Sequence, residues 1–172
     1  MSKKYQAKTS KIEGIGVFAK TDIKKGETIC KFTGEKISVP ELKRRYISGK
    51  ERICDPLQIS ERQYLNLKKP YIYFNHSCKA NAVLIKSSTL VALKNISKGE
   101  EISYDYSKTE WTWEHFGKNK KWEMKCNCGL RSCRKIIKQF PFLPKPLKTA
   151  YLKSGLLQDF ILGKAKKSSN KK

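Results

Sequence analysis

Short apolar runs broken by turn residues dominate the first two thirds of the chain. Runs of four to seven residues between glycine, asparagine or lysine-glycine turns are typical of short β-strands. This pattern predicts strands at residues 12–18, 28–32, 82–85, 89–93 and 101–106. The fourth follows the third after a short polar turn, which indicates a hairpin. We therefore expect a mostly β domain of the α+β class, built from several small sheets.

The remaining pattern predicts two helices. Residues 40–49 predict a short helix, with Pro40 near its start and Gly49 at its end. Beyond a proline-rich connector at residues 140–146, apolar side chains recur at helical spacing and predict one amphipathic C-terminal helix: Leu147, Tyr151, Leu152, Leu156 and Phe160. The lysine-rich end from Gly163 has no means of folding alone, so we expect a basic disordered tail there.

Charge adds a second constraint. Among 172 residues, 38 Lys and Arg stand against 15 Asp and Glu, for a formal net charge of +23. Such an excess predicts affinity for polyanions, including nucleic acid. No apolar run has the length of a membrane span, and the polar N-terminus lacks a signal-peptide core. We expect a cytoplasmic or nuclear, chromatin-associated protein with no membrane partner and no secretion through a signal peptide.

Three of the six cysteines lie in the spacing C-x-C-x4-C at Cys126, Cys128 and Cys133. In a reducing compartment, this clustering favours zinc ligation over disulfides. Zinc needs four ligands, and the spacing leaves the fourth open among several residues: Cys30, Cys54, Cys78, His76 and His115.

Three further segments each have an ordinary explanation when taken alone. Residues 13–16 (EGIG) are typical of a turn before a strand, residues 75–78 (NHSC) of a hydrogen-bonded core histidine, and residues 99–106 (GEEISYDY) of an edge strand. A Cys-His protease is disfavoured because His76 and Cys78 are sequence neighbours. The aromatic-rich residues 110–116 are expected to pack over a pocket.

In this order, the segments resemble the SET-domain family of protein lysine methyltransferases with its cysteine-rich post-SET segment. The matching pieces are GIGVFA at residues 14–19, FTGE at 32–35, NHSC at 75–78 with Asn81, GEEISYDY at 99–106, and the cysteine segment 126–133. The resemblance implies the SET β-fold, in which residues 75–78 and 104–106 meet in a knot-like crossing. It also implies a SET domain over residues 1–120 with a variable substrate-groove insert at 38–70, a post-SET zinc segment at 121–140, and a helix with a basic tail at 141–172.

The resemblance further implies S-adenosylmethionine as cofactor, contacted by Glu13, Ile15, Gly16, Asn75, His76, Tyr106 and Asn127. One structural zinc ion would be held by Cys78, Cys126, Cys128 and Cys133. Tyr106 would be the catalytic tyrosine, while Tyr104 would tune how many methyl groups are added and would line the lysine channel with Phe32. Tyrosine rather than phenylalanine at residue 104 implies mainly mono- or dimethylation.

The implied substrate is a protein lysine on a histone, another chromatin protein or a ribosomal protein. The insert holds eight basic residues against four acidic ones, which weakens the histone hypothesis. Two other hypotheses stay open. One is a catalytically weak, basic module that binds nucleic acid or chromatin on a SET scaffold. The other gives the C-terminal helix and tail a role in partner docking or homodimerisation.

Overall fold

The computed structural model describes residues 4–52, 55–111 and 122–169, and within them the strands form four small antiparallel sheets. β1 (Tyr5–Thr9) pairs with β2 (Ile15–Ala19). A second sheet has the order β3 (Thr28–Lys31), β8 (Thr89–Ala92), β7 (Ala82–Ile85). A third has the order β4 (Gly34–Ser38), β6 (Gln63–Leu67), β5 (Pro56–Gln58). β9 (Glu123–Lys125) pairs with β10 (Ile136–Lys138).

This architecture confirms the predicted mostly β fold of small sheets. The β7–β8 hairpin forms in the register Ala82↔Ala92 to Ile85↔Thr89, and β3 lies where the apolar pattern placed it. The prediction of a strand at residues 101–106 is wrong. That segment makes only isolated bridges at Glu101 and Tyr104 and then enters a 3-10 helix, Tyr106–Lys108. Its backbone bonds go to several neighbours, so no single partner strand extends along it.

The predicted helix near residue 40 is α1 (Val39–Ile47). Its N-terminus is capped by Ser38, whose Oγ accepts a hydrogen bond from the Glu41 amide at 3.4 Å. Gly49, just beyond the helix, has φ +69°, a conformation that glycine adopts without steric cost. The Glu41 carboxylate accepts hydrogen bonds from Arg44 and Arg45, so part of the basic charge of the insert is internally paired.

The C-terminal region contains two helices instead of the predicted single one. α2 (Lys145–Ser154) ends at Gly155, which has φ +64°, and α3 (Asp159–Ser169) follows. The expectation of a disordered tail from Gly163 is therefore wrong as far as Ser169. Helix formation there has a packing reason, because Ala165 is buried with Leu157 and Ile161 against Phe140. The last three residues, 170–172, lie outside the described residues.

Three clusters of buried side chains hold these elements together. The largest lies under the first two sheets and contains Val17, Phe32, Phe74, Leu90 and Ile102. A second joins α1 and β6 to the cysteine segment through Leu42, Tyr64, Trp122 and Ile137. The third packs the C-terminal helices on Phe140 and Trp111. Because the second cluster spans residues 37–137, it fixes the cysteine segment against α1 and β6.

Across residues 4–52, 55–111 and 122–169, none of the helices has the length and apolar character needed to cross a membrane.

Candidate functional site

Two segments that are far apart in sequence cross at the centre of the molecule. Residues 74–78 lie beside residues 101–106, with a parallel bridge between His76 and Tyr104. The Tyr104 amide donates to the Asn75 carbonyl at 3.2 Å, and the Ser77 amide donates to the Tyr104 carbonyl at 3.4 Å. This is the crossing that the sequence resemblance implied, and it brings Asn75, His76, Tyr104 and Tyr106 to one place.

A wide pocket of about 580 Å³ opens on one side of the crossing. Its volume is in the range of small-molecule and cofactor sites. Five of the seven residues expected to contact a cofactor line it: Glu13, Ile15, Asn75, Tyr106 and Asn127. Arg52 and Lys125 bring positive charge to the same walls, and Glu13 and Asp55 bring negative charge. The wide pocket can therefore receive a ligand that carries both signs of charge.

A buried polar cluster supports the floor of the wide pocket. Asn75 Nδ2 lies 2.9 Å from Glu101 Oε1 and 3.2 Å from the carbonyl oxygens of Glu13 and Ile15. Ser10 Oγ donates to the same Glu101 carboxylate at 2.8 Å. Gly16 is not among the residues that line the pocket. A β-carbon there would collide with Glu101 and Ser10, so Gly16 leaves room for the cluster. A direct cofactor contact by Gly16 stays a prediction.

Asn127 connects the cysteine segment to the N-terminal loop. Its Nδ2 donates to Glu13 Oε2 at 2.9 Å, although 114 residues separate the two along the chain. Both residues line the wide pocket. The contact therefore ties two walls of the pocket together, and the position of one wall depends on how the cysteine segment is held.

Tyr106 lines both the wide pocket and a second, narrow pocket, and Asp55 also lines both. Its hydroxyl donates to the Phe74 carbonyl at 2.8 Å, and its amide donates to His76 Nδ1 at 3.2 Å. Its ring centroid is 4.7 Å from that of Tyr104. These contacts fix the ring and the hydroxyl where the two pockets meet.

The narrow pocket has a volume of about 10 Å³, about the size of one water molecule. Its wall comprises Asp55, Pro56, Leu57, Tyr104, Tyr106, Thr109, Glu110 and Trp122. Tyr104 lines this pocket, and its role in a lysine channel stays a prediction. Phe32 does not line this pocket, because it is only 1% exposed and packs behind Tyr104 with a ring-centroid distance of 5.8 Å. In this structure Phe32 supports the wall through Tyr104 instead of forming it.

The four cysteines expected to bind zinc converge, with all Sγ atoms within 4.8 Å of one another. Cys78 Sγ and Cys126 Sγ are 3.7 Å apart. A tetrahedral zinc site with Zn–S bonds of about 2.3 Å has S···S edges of about 3.8 Å, so the spacing suits this metal. The Arg134 amide donates to Cys78 Sγ at 3.4 Å, and the Lys135 amide donates to Cys133 Sγ at 3.3 Å. Hydrogen bonds of this kind favour the thiolate form of a cysteine. The donor set therefore fits zinc.

Of the other candidates for the fourth ligand, the His76 ring lies next to the cysteine cluster, with Nε2 3.4 Å from Cys78 Sγ. Burial lowers the pKa of His76 to about 4, so its ring is neutral near pH 7. His76 lines a small annex of the wide pocket, but its ring nitrogens face Tyr106 and Cys78. Cys30 lies in the first core cluster, while Cys54, His115 and residues 112–116 of the aromatic segment lie outside the described residues.

The sequence analysis missed a buried ion pair beside the crossing. Arg134 holds the Asp105 carboxylate through two hydrogen bonds of 2.6 and 2.8 Å, and Tyr151 from α2 donates to the same carboxylate at 2.6 Å. Burial raises the pKa of Asp105, but the Arg134 hydrogen bonds outweigh it and the net shift is downward. Asp105 Oδ1 also caps the 3-10 helix that carries Tyr106, accepting from the Ser107 amide at 3.0 Å. The position of Arg134 directly after Cys133 was the available signal.

Residues 14–107 match the family described as SET domain. Among similar curated proteins, a "Variant-silencing SET domain-containing protein" of Plasmodium falciparum is 34% identical over 122 residues, which is 61% of this chain and 5% of that protein. A "Probable histone-lysine N-methyltransferase set-23" of Caenorhabditis briggsae is 30% identical over 155 residues, covering 80% of this chain and 61% of that protein. The chain thus spans less than two thirds of the length of either relative.

Solved structures show the same fold. The methyltransferase domain of the human histone-lysine N-methyltransferase SETMAR superimposes with a TM-score of 0.60 at 23% identity, over 78% of this chain and 58% of that domain. A humanized mutant of the Chaetomium thermophilum Polycomb Repressive Complex 2 superimposes with a TM-score of 0.53 at 25% identity, over 63% of this chain and 15% of that one.

Proposed function

The chain belongs to the SET-domain family, and on this premise we propose that it is a protein-lysine N-methyltransferase that uses S-adenosylmethionine. The observation that carries the proposal is the position of Tyr106, which lines both a wide cofactor-sized pocket and a narrow pocket that Tyr104 and Trp122 also line. Transfer of a group from a cofactor to a side chain needs the two to meet at such a shared residue.

The wide pocket suits S-adenosylmethionine in size and charge. When bound, this cofactor supplies a sulfonium methyl group that an uncharged lysine amine can accept. Glu13, Ile15, Asn75 and Asn127 would hold it, with Arg52 and Lys125 available to its carboxylate. A direct contact by Gly16, and one by His76 through its backbone, belong to the same proposal.

The narrow pocket would hold the amine end of the target lysine, because its volume of about 10 Å³ suits one small polar group. Tyr104, Tyr106 and Trp122 provide apolar ring surface for its methylene groups. Burial disfavours the ammonium form of a lysine whose ordinary pKa is about 10.4, and a neighbouring sulfonium charge would disfavour it further. Tyr106, anchored on the Phe74 carbonyl, would orient the amine, which contributes a proximity effect.

Tyr104 would limit the number of methyl groups. It is only 6% exposed and packs against Phe32 and Tyr106, so little space remains beside the amine. A hydroxyl there can retain a water molecule where additional methyl groups would need room. We therefore propose mono- or dimethylation as the main outcome.

Zinc at Cys78, Cys126, Cys128 and Cys133 would be structural, because four thiolates leave no coordination position for water. The zinc ion would hold the post-SET segment, including Asn127, against the wide pocket. On this basis we divide the chain into a SET domain at residues 1–120, a post-SET segment at 121–140 and C-terminal helices from 141.

For the substrate, we propose a lysine on a histone, another chromatin protein or a ribosomal protein. The relatives named as histone-lysine methyltransferases support a nuclear, chromatin-associated site of action. The acidic residues Asp55 and Glu110 on the narrow pocket suit a cationic side chain. Within the basic insert, Arg45 is paired with Glu41 and with Glu35 of β4, which reduces the unpaired positive charge that weakens the histone hypothesis.

The net charge of +23 supports a second proposal, nucleic-acid binding through the basic surface. Such binding would bring the enzyme to chromatin or ribosomes, or would be the whole function of a catalytically weak module. Phosphate contacts make the affinity fall steeply with salt. The affinity for duplex DNA is measured between 50 and 200 mM salt in a variant that has lost methyl transfer. This measurement separates nucleic-acid binding from catalysis.

The test of the main proposal is transfer of labelled methyl groups from S-adenosylmethionine to core histones, nucleosomes and ribosomal proteins, with labelled lysines located by mass spectrometry. Wild type, Tyr106→Phe and Tyr46→Phe are compared, since Tyr46 lies on α1 and lines neither pocket. We expect label from wild type and Tyr46→Phe and a loss of about 100-fold or more in Tyr106→Phe. Equal labelling by all three variants would refute the role of Tyr106, and no label from any would refute methyl transfer to these proteins.

A further inference from the structure

Glu110 is a buried carboxyl group on the wall of the narrow pocket. Glu110 lies four residues after Tyr106, just beyond the 3-10 helix Tyr106–Lys108, and is only 4% exposed. Its backbone carbonyl accepts from the Phe140 amide at 2.8 Å, which fixes this part of the chain. The sequence placed Glu110 at the start of an aromatic packing segment and assigned it no chemistry.

No cation pairs with this carboxyl group in the part of the chain that the structure describes. The Tyr64 hydroxyl and the Gln58 amide face it, while Oε2 has no hydrogen-bond partner among the described residues. The nearby basic groups are engaged elsewhere, since Arg134 holds Asp105 and the Lys108 ammonium lies 4.2 Å from the centroid of the Tyr151 ring. A buried carboxylate without a cation is costly, so a positively charged ligand in this pocket would stabilise the ionised form of Glu110.

The pocket indicates which cation fits. Tyr104, Tyr106 and Trp122 line it beside Glu110, and aromatic residues suit the apolar stem of a side chain that ends in a small cation. Lysine has this form, with a compact ammonium group on a flexible stem.

We propose that the Glu110 carboxylate binds the ε-ammonium of the target lysine and accepts its proton, making Glu110 a catalytic residue of this enzyme. This inference rests on the proposed methyl transfer. In the step, an N–H bond of the ammonium breaks and an O–H bond forms at Glu110 Oε2, which leaves an amine with a free electron pair. The ion pair becomes two neutral groups, a change that a low-dielectric pocket favours. Glu110 then returns the proton to solvent before another round.

The ionisation of Glu110 suits this task. Burial raises the pKa of its carboxyl group to about 8, although the Gln58 amide and the Tyr64 hydroxyl act in the opposite direction. A base with a pKa near the working pH is an efficient proton acceptor. Among the described residues, the other ionisable groups around the carboxyl are Asp55, Tyr64, Tyr104 and Tyr106, and burial holds the pKa of Tyr64 far above its ordinary value.

The test compares wild type, Glu110→Gln and Glu61→Gln in initial rates from pH 6 to pH 10, with saturating S-adenosylmethionine and the best-labelled protein from the screen above. Glu61 is the matched control, because its half-exposed carboxylate lies at the surface, where it pairs with Lys164 at 3.4 Å. We expect the wild-type and Glu61→Gln rates to level off above about pH 8. Glu110→Gln should lose about 100-fold at pH 7 and keep rising towards pH 10, where solvent deprotonates lysine.

A structural role for Glu110 predicts a different result, a rate lowered by the same factor at every pH. The melting temperature and cofactor affinity of Glu110→Gln are measured alongside. If that variant does not fold, Glu110→Asp keeps a carboxyl group and should retain the levelling-off at a lower rate. Active wild type with parallel profiles for all variants overturns this inference and leaves methyl transfer standing. An inactive wild type overturns both.

Discussion

The Tyr151 hydroxyl offers a sharp test of how the C-terminal helices support the site. It donates to Asp105 Oδ2 at 2.6 Å and accepts from Arg134 Nη1 at 3.1 Å, next to the crossing that carries Tyr106. Tyr151→Phe removes this hydroxyl and keeps the ring, with its contact to the Lys108 ammonium at 4.2 Å. The change therefore isolates one hydrogen-bonding group.

The expected loss in the free energy of unfolding is about 1.5–3 kcal/mol, the usual contribution of a hydrogen bond to a charged group. The loss stays below the ~3–5 kcal/mol of a broken buried ion pair, because Arg134 still holds Asp105 through two hydrogen bonds. For a chain of this size, it corresponds to a fall in melting temperature of roughly 3–12 °C. Since Asp105 caps the helix that begins at Tyr106, cofactor affinity should also fall.

The assay is urea unfolding followed by far-UV circular dichroism in zinc-containing buffer, with Thr149→Val as the matched control. Thr149 is an exposed residue of α2, and its variant also loses one hydroxyl, so a change within about 0.5 kcal/mol is expected. If Tyr151→Phe is as stable as Thr149→Val, the Tyr151–Asp105 bond contributes nothing and the reasoning fails. Truncation after Gln139 would remove Tyr151 together with α2 and would uncover Asp105. It would therefore not by itself test the hypothesis that the C-terminal helices dock a partner or form a dimer.

Three further predictions concern metal, product and pH. Removing zinc by chelation, or Cys133→Ser, should weaken S-adenosylmethionine binding by about tenfold or more, measured by calorimetry, since the wall that carries Asn127 loses its anchor; unchanged affinity in verified metal-free protein contradicts this. Tyr104→Phe should shift products towards higher methylation in mass spectra, and an unaltered distribution would contradict the proposed role of Tyr104 in limiting the number of methyl groups. Because the pKa of Glu110 is raised to about 8, its contribution to stability is present below its ordinary pKa and is lost as pH rises through 8. Wild type should lose up to ~4 kcal/mol more than Glu110→Gln between pH 5 and pH 9 in urea unfolding; parallel curves would exclude this shift.

Local patterns were sufficient for elements whose partners are close in sequence. The β7–β8 hairpin and α1 follow from apolar runs, turn residues and caps that act within a few residues. Residues 101–106 were misassigned as a strand because their hydrogen bonds are shared among several distant segments. The C-terminal helix was expected to be continuous, since helical periodicity continues past Gly155, but the left-handed conformation of this glycine ends α2.

By itself, the sequence determined the family, the mostly β class and the cysteine cluster, and it singled out Tyr104 and Tyr106 as candidates, because ordered motifs of reactive residue types carry that information without coordinates. Only the tertiary structure decided which side chains share a pocket. It placed Phe32 behind Tyr104, turned the His76 ring towards Cys78 and Tyr106, and brought Tyr151 and Arg134 onto Asp105. It also left Glu110 buried without a described cation beside Tyr104 and Tyr106. Burial and charge pairing depend on chain segments dozens of residues apart, so no local pattern of hydrophobic and polar positions specifies them.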